Sequence, residues 1–295
     1  MIGESLAIMA ALAYGLAGVS IVRSKSAAKG DNGVFLSVVL TAAISCVLWL
    51  GWGSMSAYIV LEDNGWLAIV IFGLAGLFSN VLGRQTMYRA TALTGAVSAG
   101  LLRRLTPLFA LPCGFFFLGE KPGLLTLLGG ALVLWGVLMY MRPFSSAASK
   151  VSITGVSLGV LSSLAYALAY TFRSLGLEFL PDAILGTFIG ALVGVLWILL
   201  FTISKKGIRL GFAYLTHDFS FQYWRTASLL SVGQLLQFFA LKSANVVSVA
   251  VLGTLEVIFS ALFILFITKC EQIAVKRLLC AIVLAMAGTF LIFLT

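Results

Sequence analysis

The sequence predicts an all-α polytopic membrane protein of ten transmembrane helices, arranged as two inverted five-helix repeats. Three observations carry this. The 295 residues are 61% hydrophobic and only 10% charged, against roughly 25% charged in soluble domains. The apolar residues fall into ten runs, each close to the roughly 20 residues a helix needs to cross a hydrocarbon core about 30 Å thick. The start and end of the first half recur in the second half at an offset of about 150 residues.

Charges, Gly-Asn steps and prolines divide the runs. The first span, near residues 3–22, opens with Met-Ile-Gly-Glu rather than a basic stretch and has no small-residue cleavage pattern behind it, so it reads as a mature helix and not a signal peptide. The second lies near 34–53, and Glu62-Asp63 mark the turn before the third, near 66–86. The fourth, 93–118, carries Arg103-Arg104 and Pro107 near its middle; the fifth is 124–141. The second half gives spans near 153–172, 183–203, 225–241, 246–268 and 275–294, and Lys205 to Arg225, which includes the lone His217, is read as the longest loop.

Lysines and arginines in the connections set the orientation. Those after the odd-numbered spans hold 14, including Arg23, Lys25, Lys29, Arg84, Arg89, Arg142, Lys150, Lys269, Lys276 and Arg277, against three (Lys121, Arg173, Lys242) on the other side. This predicts odd loops in the cytoplasm and both termini outside, in a bacterial inner membrane. The net charge of +9 is thus a topology signal, and nucleic acid is not an expected partner.

The composition also excludes chemistry. One His and four Cys (Cys46, Cys113, Cys270, Cys280) cannot assemble a usual zinc site, and the cysteines read as small packing residues. The neighbouring acids Glu62 and Asp63 lack metal-binding spacing. No metal, no cofactor and no enzymatic activity are expected.

An internal repeat is visible by eye. GESLAIMAALAYGLA at 3–17 matches GVSLGVLSSLAYALA at 155–169, with eight identities that include Tyr14/Tyr166; LLGGALVLWGV at 127–137 resembles LLCAIVLAMAG at 278–288. The repeats are read as 1–144 and 152–295. Five helices is an odd number, so the second copy enters the membrane upside down, which creates a pseudo-two-fold axis in the membrane plane and two related gates around one midplane site.

The runs YRATALTGAVSAGLLRRLTPLFALPCGFFFLGEKPGLLTLLGGALVLWGVL at 88–138 and FALKSANVVSVAVLGTLEVIFSALFILFITKCEQIAVKRLLCAIVLAMAGTFLIF at 239–293 resemble the two EamA repeats of the drug/metabolite transporter superfamily. The resemblance covers nearly the whole chain. It rests on Pro107, the Leu-Gly-Glu ending at Glu120, the small-residue fifth helix through Gly129 and Gly136, and the Leu-Glu at Glu256. It implies ten helices and export or exchange of metabolites. Tyr14 and Tyr166 stand where the family often has tryptophan, and Val257 where it often has proline.

Arg103 and Arg104 are the most informative residues, since each arginine at mid-membrane costs roughly 2.5–3.5 kcal/mol on insertion scales. Neighbours on a helix point about 100° apart, so at least one is expected to reach a central cavity. Aligning Ala96-Val97-Ser98 with Val246-Val247-Ser248 sets Arg104 opposite Thr254 and Thr106 opposite Glu256. The expectation is that Glu256 pairs with one arginine and leaves the other for an anionic group, for which a guanidinium fork is suited. A structural bridge between the halves is the alternative. Arg84, Asn80, Gln234, Gln237, Tyr14 and Tyr166 are further candidates, each also explained by snorkelling, interhelical hydrogen bonding or packing. Gly95, Gly100, Gly129, Gly130 and Gly136 read as close-packing residues.

The expected function is a transporter, exporter or exchanger, of a small organic anion or zwitterion such as an amino acid or a carboxylate- or phosphate-bearing metabolite. A broad exporter of drugs or aromatic amino acids is the runner-up; a non-transporting scaffold or channel is the alternative of another class. The expected partners are that small molecule and the lipid bilayer, with the chain a monomer or homodimer.

Overall fold

The computed structural model describes residues 2–25, 31, 33–52, 65–94, 102–141, 152–268 and 275–294. Cys270, Glu62, Asp63, Gly95, Gly100, Lys29, Arg142, Lys150 and Lys269 lie outside the described residues, as do the Ala96-Val97-Ser98 run and the turn before the third span. Every described element is helical. In chain order they are α1 Ile2–Lys25, α2 Val34–Trp52, α3 Gly65–Gly76, α4 Arg84–Thr94, α5 Thr106–Leu118, α6 Leu124–Met141, α7 Ile153–Phe179, α8 Ala183–Lys206, α9 Ile208–Thr216, α10 Phe221–Leu241, α11 Val246–Gly253, α12 Glu256–Phe263 and α13 Val275–Phe293. A π-helical stretch, Leu77–Gly83, joins α3 to α4, and a second, Ile264–Thr268, follows α12.

Among the described residues, seven helical segments are long and apolar enough to cross a bilayer: Ile2–Ser20, Val34–Gly51, Gly65–Met87, Ile153–Phe179, Ala183–Lys206, Val246–Phe266 and Val275–Phe293. Thr106–Leu118 and Leu124–Gly136 are shorter apolar helices. Large apolar side chains such as Leu50, Phe116, Leu200, Val283 and Met286 point outward, as lipid requires.

The helices pack mostly across the two halves of the chain. α1 lies against α10, α11 and α12; in matching fashion α7 lies against α3, α4 and α5. α2 packs on α10 as α8 packs on α3, and α2–α8, α5–α11 and α6–α13 pair directly. Small residues make the closest crossings possible. A Cβ on Gly76 would lie 2.3 Å from the Gly190 carbonyl oxygen, and one on Gly129 would lie 2.5 Å from that of Gly288. Gly136 is tight against Ala281, and Gly130 against Val251.

Two helix breaks position the site. After Arg103 the chain leaves the helix at Arg104 and Leu105, and after Gly253 it does so at Thr254 and Leu255, 150 positions later. Both breaks use the same tightened turn: the Leu105 amide donates to Leu102 O and the Leu255 amide to Leu252 O, each at 3.0 Å. Their chemistry differs. Pro107 has no N–H to offer the Arg103 carbonyl four residues back, and the Thr106 hydroxyl donates to that oxygen instead, at 2.8 Å. In the second half Val257 keeps its amide, and the Thr254 hydroxyl donates to Val251 O at 2.7 Å.

The Leu-Gly-Glu motif closes α5. Gly119 takes a left-handed conformation, φ +65°, at the helix C-cap, where a missing Cβ removes the steric penalty. Glu120 then reaches α11, accepting a 2.8 Å hydrogen bond from the first backbone N–H of that helix, Val246. Burial pushes the Glu120 carboxyl above the ordinary carboxylate range.

Several boundaries differ from the sequence reading. The third span, Gly65–Met87, agrees with the sequence reading, but its helix continues to Thr94, and within it Arg84 Nη1 donates to Ser37 Oγ of α2 at 2.7 Å. The stretch after Lys206 is not all loop, since α9 forms there, with Ile208, Leu210 and Phe212 exposed. The sixth span extends to Phe179, so Arg173, expected in a connection, lies inside a helix and is 3% exposed.

Candidate functional site

The two breaks bring the first and second halves into one ionic cluster. Glu256 opens α12 directly after the second break, and Arg103 and Arg104 sit at the first. Arg103 grips the carboxylate with both ends of its guanidinium, Nη1 at 3.1 Å from Oε1 and Nη2 at 3.3 Å from Oε2. Arg104 Nη2 shares Oε1, also at 3.1 Å. The expectation that Glu256 takes one arginine and leaves the other free is therefore corrected: it holds both. The reason is the backbone turn at Arg104, which removes the 100° divergence of helical neighbours and lets two adjacent side chains converge. The trio keeps one positive charge in excess, and the Arg104 Nε is buried without a hydrogen-bond partner.

Hydrogen bonds from neighbouring helices fix both sides of the trio. Ser163 of α7 donates to the Leu102 carbonyl at 2.6 Å, holding the segment before Arg103. Ser260 of α12 donates to Gly15 O of α1 at 3.1 Å and to Glu256 O at 2.7 Å. The Arg103 guanidinium lies 5.4 Å from the centre of the Tyr166 ring, within the range of a cation–π contact.

Tyr166 and Tyr14 have equivalent seats. The Tyr166 ring covers Gly83, where an added Cβ would meet it at 3.2 Å; the Tyr14 ring covers Gly233, where the distance would be 2.8 Å. The surroundings of Tyr14 hold the residue that sequence reasoning missed. Gln237 Oε1 accepts from Arg173 Nη1 at 2.7 Å and from Tyr14 Oη at 3.4 Å. Arg173 also stacks over Phe238 at 4.7 Å and Tyr170 at 5.9 Å. Arg84 and Arg103 are within electrostatic range of Tyr14 as well, so both tyrosine seats face one polar region.

Of the sequence candidates, Arg103, Arg104, Glu256, Tyr14, Tyr166 and Gln237 thus come together, with Arg84 at the edge. Gln234 is buried one turn from Gln237, and its Nε2 lacks a partner. Asn80 is elsewhere: its amide donates to Gly190 O at 3.1 Å, a bridge from the π-helical stretch to α8. Arg173 does not stand out in the sequence because a charge after an apolar run reads as the end of a span. The spacing Tyr166, Tyr170, Arg173, at i, i+4 and i+7, was a legible one-face pattern.

A cavity of about 400 Å³ is lined by Glu120, Ser174, Leu177, Glu178, Lys242 and Asn245 among others. Ser174 and Leu177 follow Arg173 on α7, and Leu241, one turn past Gln237 on α10, lines it too. Among the described residues no group of three His, Cys, Asp or Glu side chains is placed to hold a metal ion.

Comparisons with known proteins agree with this architecture. A protein of known crystal structure superposes with a TM-score of 0.70 at 17% identity, covering 99% of this chain and 96% of that chain; at that identity the likeness is one of fold. None of the curated proteins matches. The sequence model of the EamA-like transporter family matches residues 1–142, the half that contains both site arginines. With its apolar helices, the chain is a multi-pass membrane protein whose residues 1–142 match the EamA-like transporter family.

Proposed function

We propose that the protein exports or exchanges a small organic anion or zwitterion across a bacterial inner membrane, by alternating access between two inverted five-helix repeats. The observation that carries the substrate charge is the Arg103–Arg104–Glu256 trio, two guanidiniums on one carboxylate at the paired helix breaks. With Arg104 6% and Arg103 31% exposed, a positive excess partly withdrawn from water is costly unless an anion joins it, and the guanidinium fork matches a carboxylate or phosphate. An arginine-rich site also opposes a cationic drug.

The matched contacts α1–α10 and α7–α3, the breaks 150 positions apart and the two tyrosine–glycine seats support the inverted-repeat reading with ten spans. In such a frame the trio ties the halves in one state, and an anion competing with Glu256 for a guanidinium favours their separation. The lysine and arginine bias of the connections supports cytoplasmic odd loops and outside termini.

The test is counterflow in proteoliposomes against a panel of carboxylates, phosphate esters and amino acids, comparing wild type with Arg103→Gln, Arg104→Gln and Glu256→Gln. Loss in an arginine variant that still purifies as a folded protein supports the site; unchanged transport in all three variants overturns it. Cysteines placed at Thr106 and Thr254 should exchange accessibility between the two sides of the membrane if access alternates, and fixed accessibility at both points to a scaffold or channel.

A further inference from the structure

Arg173 is the one described arginine in the polar region with neither a carboxylate nor solvent to answer its charge. It is 3% exposed, and among the described residues no carboxylate lies within ion-pair distance. Its hydrogen-bond acceptor is a neutral amide, Gln237 Oε1. Its stacking partners, Phe238 and Tyr170, are rings, and its Nε is buried with no hydrogen-bond partner at all. A guanidinium kept only for structure is paired, because an uncompensated buried charge is among the most expensive features a protein can retain. In a membrane such a charge marks a ligand path.

Its placement says what the ligand must be. Arg103 stands over Tyr166 and Arg173 over Tyr170, and Tyr166 and Tyr170 are neighbours at i and i+4 on one face of α7, so the two guanidiniums rest on rings of a single stripe. Tyr14, which bonds the same Gln237 oxygen as Arg173, is within electrostatic range of both Arg173 and Arg103. The cavity described above is lined by Ser174, the residue after Arg173, and by Leu177, one turn further along α7.

We infer that Arg173 is a second anion subsite, so that the substrate of the site proposed above is a dianion, with one anionic group at the Arg103–Arg104–Glu256 trio and a second, a short carbon chain away, at Arg173 and Tyr14. This rests on the anion reading of the trio and narrows it. A monoanion leaves Arg173 unanswered, and a zwitterion would set an ammonium against a guanidinium. Gln237 is a positioning residue, holding Arg173 without neutralising it.

Three probes of equal chain length separate these cases: succinate, butyrate and 4-aminobutyrate, which differ only in the second terminal group. Their binding to the purified full chain is measured by isothermal titration, with gel filtration and thermal melting as checks on folding. Succinate should bind most tightly to wild type and 4-aminobutyrate most weakly. Arg173→Gln should weaken succinate by about tenfold or more, with butyrate changed by less than about twofold. Gln237→Glu, which supplies the missing carboxylate in place and is expected to fold where Arg173→Gln does not, should give the same selective loss, and Arg173→Lys should restore much of it. Arg103→Gln should weaken succinate and butyrate together. Equal effects of Arg173→Gln on succinate and butyrate, or no effect of Gln237→Glu on succinate, overturn the second subsite while the trio's role stands. No binding of any probe to wild type, or none lost on Arg103→Gln, overturns the anion reading itself.

Discussion

Tyr166 covers Gly83 and faces two arginines closed on a glutamate, whereas Tyr14, 152 positions earlier, covers Gly233 and faces one arginine held by an amide. The backbones of the two corners correspond; their charges do not. Two similar seats for aromatic rings thus carry different charge: at one a carboxylate offsets one of two guanidiniums, and at the other a guanidinium meets only a neutral amide. The corner with the carboxylate joins the halves of the chain. The other holds a buried guanidinium that no described carboxylate offsets.

Removing Glu256 attacks this contrast hardest. Glu256→Gln leaves two converging guanidiniums with no carboxylate, and breaking a buried ion pair from one side costs about 3–5 kcal/mol. The melting temperature in detergent should fall sharply and recover in part when Arg104→Gln is added. Recovery as large from Arg173→Gln would mean that the two corners are not electrostatically distinct.

Filling the glycine seats is the next largest change. Gly233→Ala sets a Cβ 2.8 Å from the Tyr14 ring, and Gly83→Ala sets one 3.2 Å from the Tyr166 ring and 2.9 Å from the Phe78 carbonyl oxygen; overpacking of this kind costs about 1–3 kcal/mol. The functional effects should diverge. Gly83→Ala should weaken every anion, and Gly233→Ala should mainly reduce the preference for succinate over butyrate, as read in the same titrations.

Smaller still is the loss of one buttress. Ser163→Ala removes the 2.6 Å hydrogen bond to Leu102 O and should cost about 1 kcal/mol in thermal melting. Tyr14→Phe, which removes a hydroxyl whose bond to Gln237 is 3.4 Å long, should change stability by less than about 0.5 kcal/mol. A larger effect would show that Tyr14 anchors Arg173 through Gln237 rather than merely sharing its acceptor.

The trio was legible in the sequence because membrane burial makes charge rare: Arg103, Arg104 and Glu256 stand out inside apolar runs, and the 150-residue offset pairs their helices. How they share charge was not legible, because that depends on a helical break at Arg104 whose partner break at Thr254 has no proline to announce it. Arg173 was misplaced for the opposite reason. A charge near the end of an apolar run looks like a loop residue whether its side chain turns out to water or inward, and only packing against Tyr170, Phe238 and Gln237 settles the direction. Asn80, deep in the membrane, bridges the π-helical stretch to α8.

The sequence by itself determined the solvent, the helical class and the internal likeness of the halves. Composition fixes what can lie in hydrocarbon, and apolar run length fixes what can cross it. Only the tertiary structure decided which charges meet. Two residues 153 positions apart, such as Arg103 and Glu256, become neighbours through the way helices of one half lie between those of the other, and only that packing sets a carboxylate beside Arg103 and Arg104 and a neutral amide beside Arg173.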